Sequence, residues 1–229
     1  MDPFYDVTAA IALAMGAAWA SGINLYAAIL VLGLLGMTGN MVLPENLQVL
    51  THPLVLGAAG IMYVVEFFAD KIPGVDTGWD TLHTFIRIPA GAVLAAGAMG
   101  DVNPAIAVAA GILGGGLAAG SHALKAGTRV LINTSPEPVT NWTASVTEDV
   151  AVVGGLWIAL HYPWLFIALI VLFVLLLIWV LPKLWRSIKK IAGFIKRLFR
   201  YEKTENEPAM TPECRPVETV PKDPPRLTE

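Results

Sequence analysis

Polar residues that could do chemistry recur along this chain at steps of 3 and 4, the spacing that places side chains on one face of a helix. Tyr63, Glu66 and Asp70 form one row. Asp76, Asp80, His83 and Arg87 form a second, His122, Lys125 and Arg129 a third, and Asn141, Ser145 and Glu148 or Asp149 a fourth. Lys71 and Asn133 lie beside them and complete the set of candidate substrate or ion-site residues. The carboxylates suit cation or proton handling, and the two imidazoles can change charge near neutral pH. The guanidinium and ammonium groups could instead hold an anion such as a lipid phosphate. A charge near the centre of a membrane helix costs roughly 2.5–3.5 kcal/mol even on lenient insertion scales, so these rows must turn inward, pair, or line a wet cavity. The bland alternative is a set of interhelical ion pairs and caps holding a small bundle together.

The elements that must carry these rows are apolar. Thr8 to Gly36 is an apolar stretch interrupted by Ser21-Gly22-Ile23-Asn24, read as one broken or kinked span. Further spans are expected over Leu54–Ala69, Trp79–Met99, Ala105–Ile132, Ser145–Leu160 and Pro163–Leu181, separated by Pro- and Gly-punctuated turns. The fold class is therefore an all-α polytopic transmembrane bundle of about six spans. Glycines at 111 and 114–116 suit close helix packing in lipid.

Composition agrees: 55% of the 229 residues are hydrophobic, 14% are charged, and mean hydropathy is +0.63. Of 15 Lys and Arg residues, only Lys71, Arg87, Lys125 and Arg129 precede Lys183. Basic segments stay in the cytoplasm, so residues 183–200 are expected inside, at the inner (plasma) membrane, with the turns at 70–80 and 133–145 on the same side. If the first stretch is a re-entrant pair, the N-terminus moves outside. Met1–Asp6 carries Asp2 and Asp6 and no basic residue, so the first apolar segment is expected to be retained. Three regions result: residues 1–182 as the bundle, 183–200 as a basic amphipathic membrane-surface helix, and 201–229 as a disordered cytoplasmic tail. Cys214 is the sole cysteine, which excludes an intrachain disulfide.

An offset of 63 residues superposes Pro73 on Pro136 and Trp79 on Trp142. It also sets Glu66 over Arg129 and Arg87 beside Glu148 and Asp149, which suggests an internal hairpin repeat with reversed charges. Two such hairpins about a pseudo-twofold axis would bring Glu66 to Arg129 and Arg87 to Glu148 or Asp149.

The strings Ser21-Gly22-Ile23-Asn24-Leu25-Tyr26, Glu66-Phe67-Phe68-Ala69-Asp70-Lys71-Ile72-Pro73 and Val75-Asp76-Thr77-Gly78-Trp79-Asp80 with His83, and Asn133-Thr134-Ser135-Pro136-Glu137-Pro138 with Asn141, Ser145, Glu148 and Asp149, resemble the polytopic membrane family catalogued as domain of unknown function 4126. The resemblance covers roughly residues 10–182 and implies a small polytopic membrane protein. It supplies neither a substrate nor a catalytic residue.

The leading expectation is a transporter or channel for a small polar or charged solute, with the break at Ser21-Gly22 exposing backbone groups to the site. The alternatives are a site for an anionic lipid head group, a membrane scaffold, and an embedded enzyme. The chain has no His-Glu-x-x-His, Gly-x-Ser-x-Gly or P-loop motif, and it leans away from an enzyme. No catalytic residue, metal or cofactor is assigned, and His83 and His122 read better as hydrogen-bonding caps than as ligands. The expected partners are membrane lipids and a small solute or ion. A homo-oligomer is compatible with the sequence, and nothing in it suits nucleic acid.

Overall fold

The computed structural model describes residues 3–72, 74–99, 103–134 and 138–205, and all regular structure among them is helical. The helices are α1 (Pro3–Met37), α2 (Pro53–Ala69), α3 (Val75–Met99), α4 (Pro104–Ile132), α5 (Pro138–His161) and α6 (Pro163–Glu205), with a 3-10 helix at Glu45–Thr51 before α2. Contacts divide the chain into a unit of residues 1–189, which holds the bundle, and a unit of residues 190–229, helical as far as Glu205. The tail expected to be disordered from 201 falls, beyond Glu205, outside the described residues.

Proline at the first turn and a side-chain cap start α2 and α4: His52 Nδ1 accepts from the Leu54 N–H at 3.2 Å, and Asn103 Oδ1 from the Ala105 N–H at 2.8 Å. The third and fifth spans begin earlier than the apolar pattern implies, at Val75 and Pro138. Their first turns look like loop because they are polar, yet Asp76 and Asn141 are buried in them.

The largest departure from expectation is α1. Length and apolarity alone would let Val7–Met37 cross a membrane, but its contacts fold it back. Gly16 lies against Ala159 and Phe166, Gly155 against the Trp19 ring, and Asn24 bonds Asp149, so residues 3–23 run antiparallel to α5. Then Leu30 meets Gly60, Gly33 meets Leu50 and Leu56, and Gly36 meets Leu43 and Thr51. Residues 25–37 thus return, antiparallel to α2, to the end where the helix began. A cavity of about 540 Å³ at that end is lined by Ala9 and Leu13 from one half and Leu35 from the other. The single kinked span expected over residues 8–36 is therefore a re-entrant pair; α3 to α6 are each long and apolar enough to cross, and α2 is so only together with the 3-10 helix before it, at a bend of 65°. The physical cause is one residue: Asn24 is extended (φ −146°, ψ 97°), which reverses the helix, and its Oδ1 caps the second half by accepting from the Ala27 N–H at 3.0 Å.

Small residues let the re-entrant pair sit deep in the bundle. A methyl at Gly22 would collide with Ser121 Oγ and the Ala118 carbonyl. One at Gly91 would meet Ala118, and one at Gly114 would meet Ala95. Ala14, Ala17, Ala18, Leu94, Ala95 and Leu156 form the apolar core on the half nearer the 38–52 loop. Outside, the polarity is that of lipid rather than water. Phe85, Val93, Ile112, Leu172 and Ile178 are exposed, while Glu66, Arg87 and Arg129 are wholly buried. α6 is held by Trp19, whose ring meets Phe166 and Phe173 edge-on, and continues through Pro182, where Leu184 and Ile188 lie against Gly127 of α4.

Candidate functional site

The turns at 70–75 and 133–138 bring the polar rows together in the half of the bundle away from the alanine core. Arg87 is wholly buried and binds two carboxylates, Nη2 to Glu66 Oε1 at 2.6 Å and Nη1 to Asp80 Oδ1 at 2.9 Å. Arg129 is equally buried and donates Nη2 to Glu148 Oε2 at 2.8 Å, Nε to Glu148 Oε1 at 3.3 Å, and Nη1 to the Asp70 carbonyl at 2.8 Å. Lys125 lies between the two pairs. Its Nζ is 2.8 Å from Asp70 Oδ2, 3.4 Å from Glu66 Oε1, 3.7 Å from Asp80 Oδ1 and 3.4 Å from Glu148 Oε2. Seven of the candidates thus form one ion network spanning α2, α3, α4 and α5.

The pairs are not those that the 63-residue offset predicts. Among the ion pairs of the described residues, Glu66 is not joined to Arg129, nor Arg87 to Glu148 or Asp149. Each arginine takes an acid on the other arm of its own hairpin, Glu66 with Arg87 and Arg129 with Glu148, while Lys125 and the Arg129–Asp70 pair at 3.6 Å join the two hairpins. The partners do not lie equidistant from the intervening connections: Glu66 is three residues before the end of α2 and Arg87 twelve after the start of α3, so the packing of the whole bundle rather than hairpin symmetry decides them.

The tip of the re-entrant pair enters this network. The reversal at Asn24 frees backbone carbonyls, and Ile23 O accepts from Lys125 Nζ at 3.1 Å while Trp19 O accepts from Ser121 Oγ at 3.0 Å. On the other flank Asn24 Nδ2 donates to Asp149 Oδ1 at 3.0 Å, and the Tyr63 hydroxyl donates to Asp149 Oδ2 at 3.2 Å. An ammonium therefore faces the C-terminal end of one half-helix and a carboxylate the N-terminal end of the next, the arrangement both helix dipoles favour. Ser21 Oγ ties the same tip to the Arg87 carbonyl at 2.9 Å.

The histidines sit at the edge of the network. His122 Nδ1 is 3.3 Å from Arg87 Nη1, and since a guanidinium can only donate, Nδ1 accepts and Nε2–H donates to Thr84 Oγ1 at 2.7 Å. Thr84 passes its own proton to the Asp80 carbonyl at 2.9 Å. His83 stacks on Trp79 at 4.3 Å, donates Nδ1–H to the Trp79 carbonyl, and meets the Tyr26 hydroxyl at 3.1 Å.

The remaining candidates separate. Asp76 accepts from Asn133 Nδ2 at 2.8 Å and from the N–H groups of Gly74 and Thr77, and Asn141 Nδ2 donates to Asn133 Oδ1 at 3.1 Å. That cluster organises the two turns. Ser145 is buried on α5 one turn before Glu148. Lys71 makes no ion pair within 4.0 Å among the described residues. Its Nζ donates to the Phe67 carbonyl at 3.0 Å and lies over the Phe67 ring, and burial lowers its pKa against the opposing pull of Asp149 and Asp70. Asn24, Tyr26, Ser21, Ser121 and Thr84 join the site without having been candidates. The signal for the first three was the polar interruption inside an apolar stretch.

A cavity of about 200 Å³ reaches the network between α4, α5 and Phe173, lined by Ser121, Lys125, Thr128, Thr147 and Glu148. Glu148 is the most open member, with its side chain 18% exposed. No group of three or more His, Cys, Asp or Glu among the described residues is placed to hold a metal ion. No curated protein and no solved structure matches this chain. The family described as Domain of unknown function (DUF4126) matches residues 11–183, which take in the re-entrant pair from Ile11 onward, every member of the network and α6 as far as Lys183. This polytopic membrane protein therefore belongs to that family.

Proposed function

We propose that the protein is a transporter for a small polar or charged solute, and that the solute is handled where the re-entrant tip meets the ion network. The observation that carries this reading is the tip itself. A helix reversed at Asn24 inside the bundle opens a backbone carbonyl to a wholly buried ammonium, and irregular backbone at membrane depth is tolerated where it is buried in protein or lines a site. Stability does not account for the network, because buried ion pairs exchanged for packed apolar groups are often neutral or better. The cations are already engaged by carboxylates, which favours a cationic or neutral polar solute over an anionic lipid head group. In this reading the end bearing the two short turns and the C-terminus faces the cytoplasm of the cell, next to the basic residues from Lys183 onward.

The test is flux in liposomes holding the purified full chain, with monovalent cations, amines, neutral amino acids and phosphate as separate solutes. One cationic or neutral solute should cross clearly faster than in liposomes without the protein. Asn24→Leu should abolish that flux while the protein still elutes as a folded particle. Flux of none of the solutes, or flux indifferent to Asn24→Leu, would remove the proposal.

A further inference from the structure

We infer that the network holds one exchangeable proton, shared among the carboxyl groups around Lys125, and that this proton is the coupling ion of transport. Four carboxylates (Glu66, Asp70, Asp80 and Glu148) face three cations (Arg87, Lys125 and Arg129). One negative charge is left over in a site where Glu66, Arg87 and Arg129 are wholly buried and Asp80 is 1% exposed. An unbalanced buried charge is neutralised rather than tolerated.

The neighbours on every side leave the excess in place. His122 is held as an acceptor toward Arg87, so it is no fourth cation. His83 pairs with no carboxylate within 4.0 Å among the described residues and spends its nitrogens on the Trp79 carbonyl and Tyr26. Tyr63 on α2 and Asn24 on α1 are neutral donors to Asp149. Lys71 and Asp149 add one charge of each sign. Asp76 adds only another negative charge, already met by neutral donors.

Geometry then separates a proton from a metal ion. Glu66 Oε2, Asp70 Oδ1 and Asp80 Oδ2 are buried and have no hydrogen-bond partner; Arg87 Nε and Asn141 Oδ1 nearby share that condition. A dehydrated cation needs several oxygens converging on one point, and no group of three or more His, Cys, Asp or Glu among the described residues is placed to supply them. A proton needs one oxygen. It forms an O–H bond on a carboxylate and is drawn from water, and the cavity lined by Glu148 and Lys125 is the opening that reaches the network. Because the carboxyls share a single ammonium, the proton belongs to the group rather than to one residue.

As a coupling ion the proton rests on the transport reading; as a bound proton it rests on the charge count. Infrared difference spectroscopy of the reconstituted full chain separates the two. At neutral pH the wild type should show one carboxylic-acid C=O band that shifts in deuterium oxide. Asp80→Asn, which balances the charges, should lose it, and Lys125→Met, which unbalances them further, should double it. Glu66→Gln or Asp70→Asn serves if Asp80→Asn does not fold. Absence of the band in the wild type, or its persistence in every amide variant, overturns the bound proton whatever the flux assay gives. If the band is present, a pH gradient should drive uptake of the transported solute, and uptake indifferent to the gradient overturns the coupling.

Discussion

At the scale of single residues the site is a matter of which charge answers which. Arg87 has two carboxylate partners and no exposure, so Arg87→Met leaves Glu66 and Asp80 with only the longer contacts to Lys125 and should destabilise the protein by about 3–5 kcal/mol. Lys71 has no ion pair among the described residues, and Lys71→Met should cost far less. Thermal unfolding of the two variants in detergent gives the comparison. Charge swaps test the pairing directly. Arg129→Glu with Glu148→Arg should recover folding that each single change loses, whereas Glu66→Arg with Arg129→Glu should not, because those two residues are not partners. Equal rescue by both swaps would contradict the geometry. The rows themselves were legible in the sequence, since helical spacing puts Glu66 and Asp70, or Lys125 and Arg129, on one face. The partners were not, because an offset between repeats says which residues correspond and not which ones touch. Distance from the intervening turn did not carry that information either, since Glu66 and Arg87, like Arg129 and Glu148, lie at unequal distances from the connection they flank.

At the scale of elements the bundle depends on how closely α1 approaches α4. Gly22 sits where a methyl would strike Ser121 and the Ala118 backbone, whereas Gly116 has open space beside it. Gly22→Ala should therefore destabilise by about 1–3 kcal/mol. Gly116→Ala should be neutral or stabilise by up to about 1 kcal/mol, as alanine favours a helix. Melting temperatures of the two variants decide this, and equal effects would mean that the contact at Gly22 is not tight. The apolar stretches and Pro-Gly punctuation made the helices from α2 onward visible in advance, with α3 starting four residues and α5 seven residues before the apolar pattern implied. What they could not reveal is that α1 returns. A re-entrant pair and a kinked crossing have the same composition, and the difference lies in whether residues near Ala9 end up beside Leu35, a tertiary fact.

For the molecule as a whole, folding α1 back changes the parity of the topology. Its two ends lie together, so with α2 to α6 each crossing the N- and C-terminal ends of the bundle are expected on opposite sides. With Cys214 replaced by serine, cysteines placed at Asp6 and Glu45 should react with an impermeant label from one side of intact cells, and one at Gly74 from the other. Reaction of Asp6 from the Gly74 side would restore a full crossing to α1. The same feature orders the assembly of the chain in time. The tip is complete only when Asn24 reaches Asp149 and Ile23 reaches Lys125, partners more than a hundred residues downstream. A ribosome that has released only α1 has made two half-helices with a polar bend and nothing to receive it. The pair must wait at the membrane surface, or lodge shallowly, until α4 and α5 emerge. Nascent chains arrested before Glu148 should then leave α1 open to protease, so the first helix to be made is not the first to settle in the bundle.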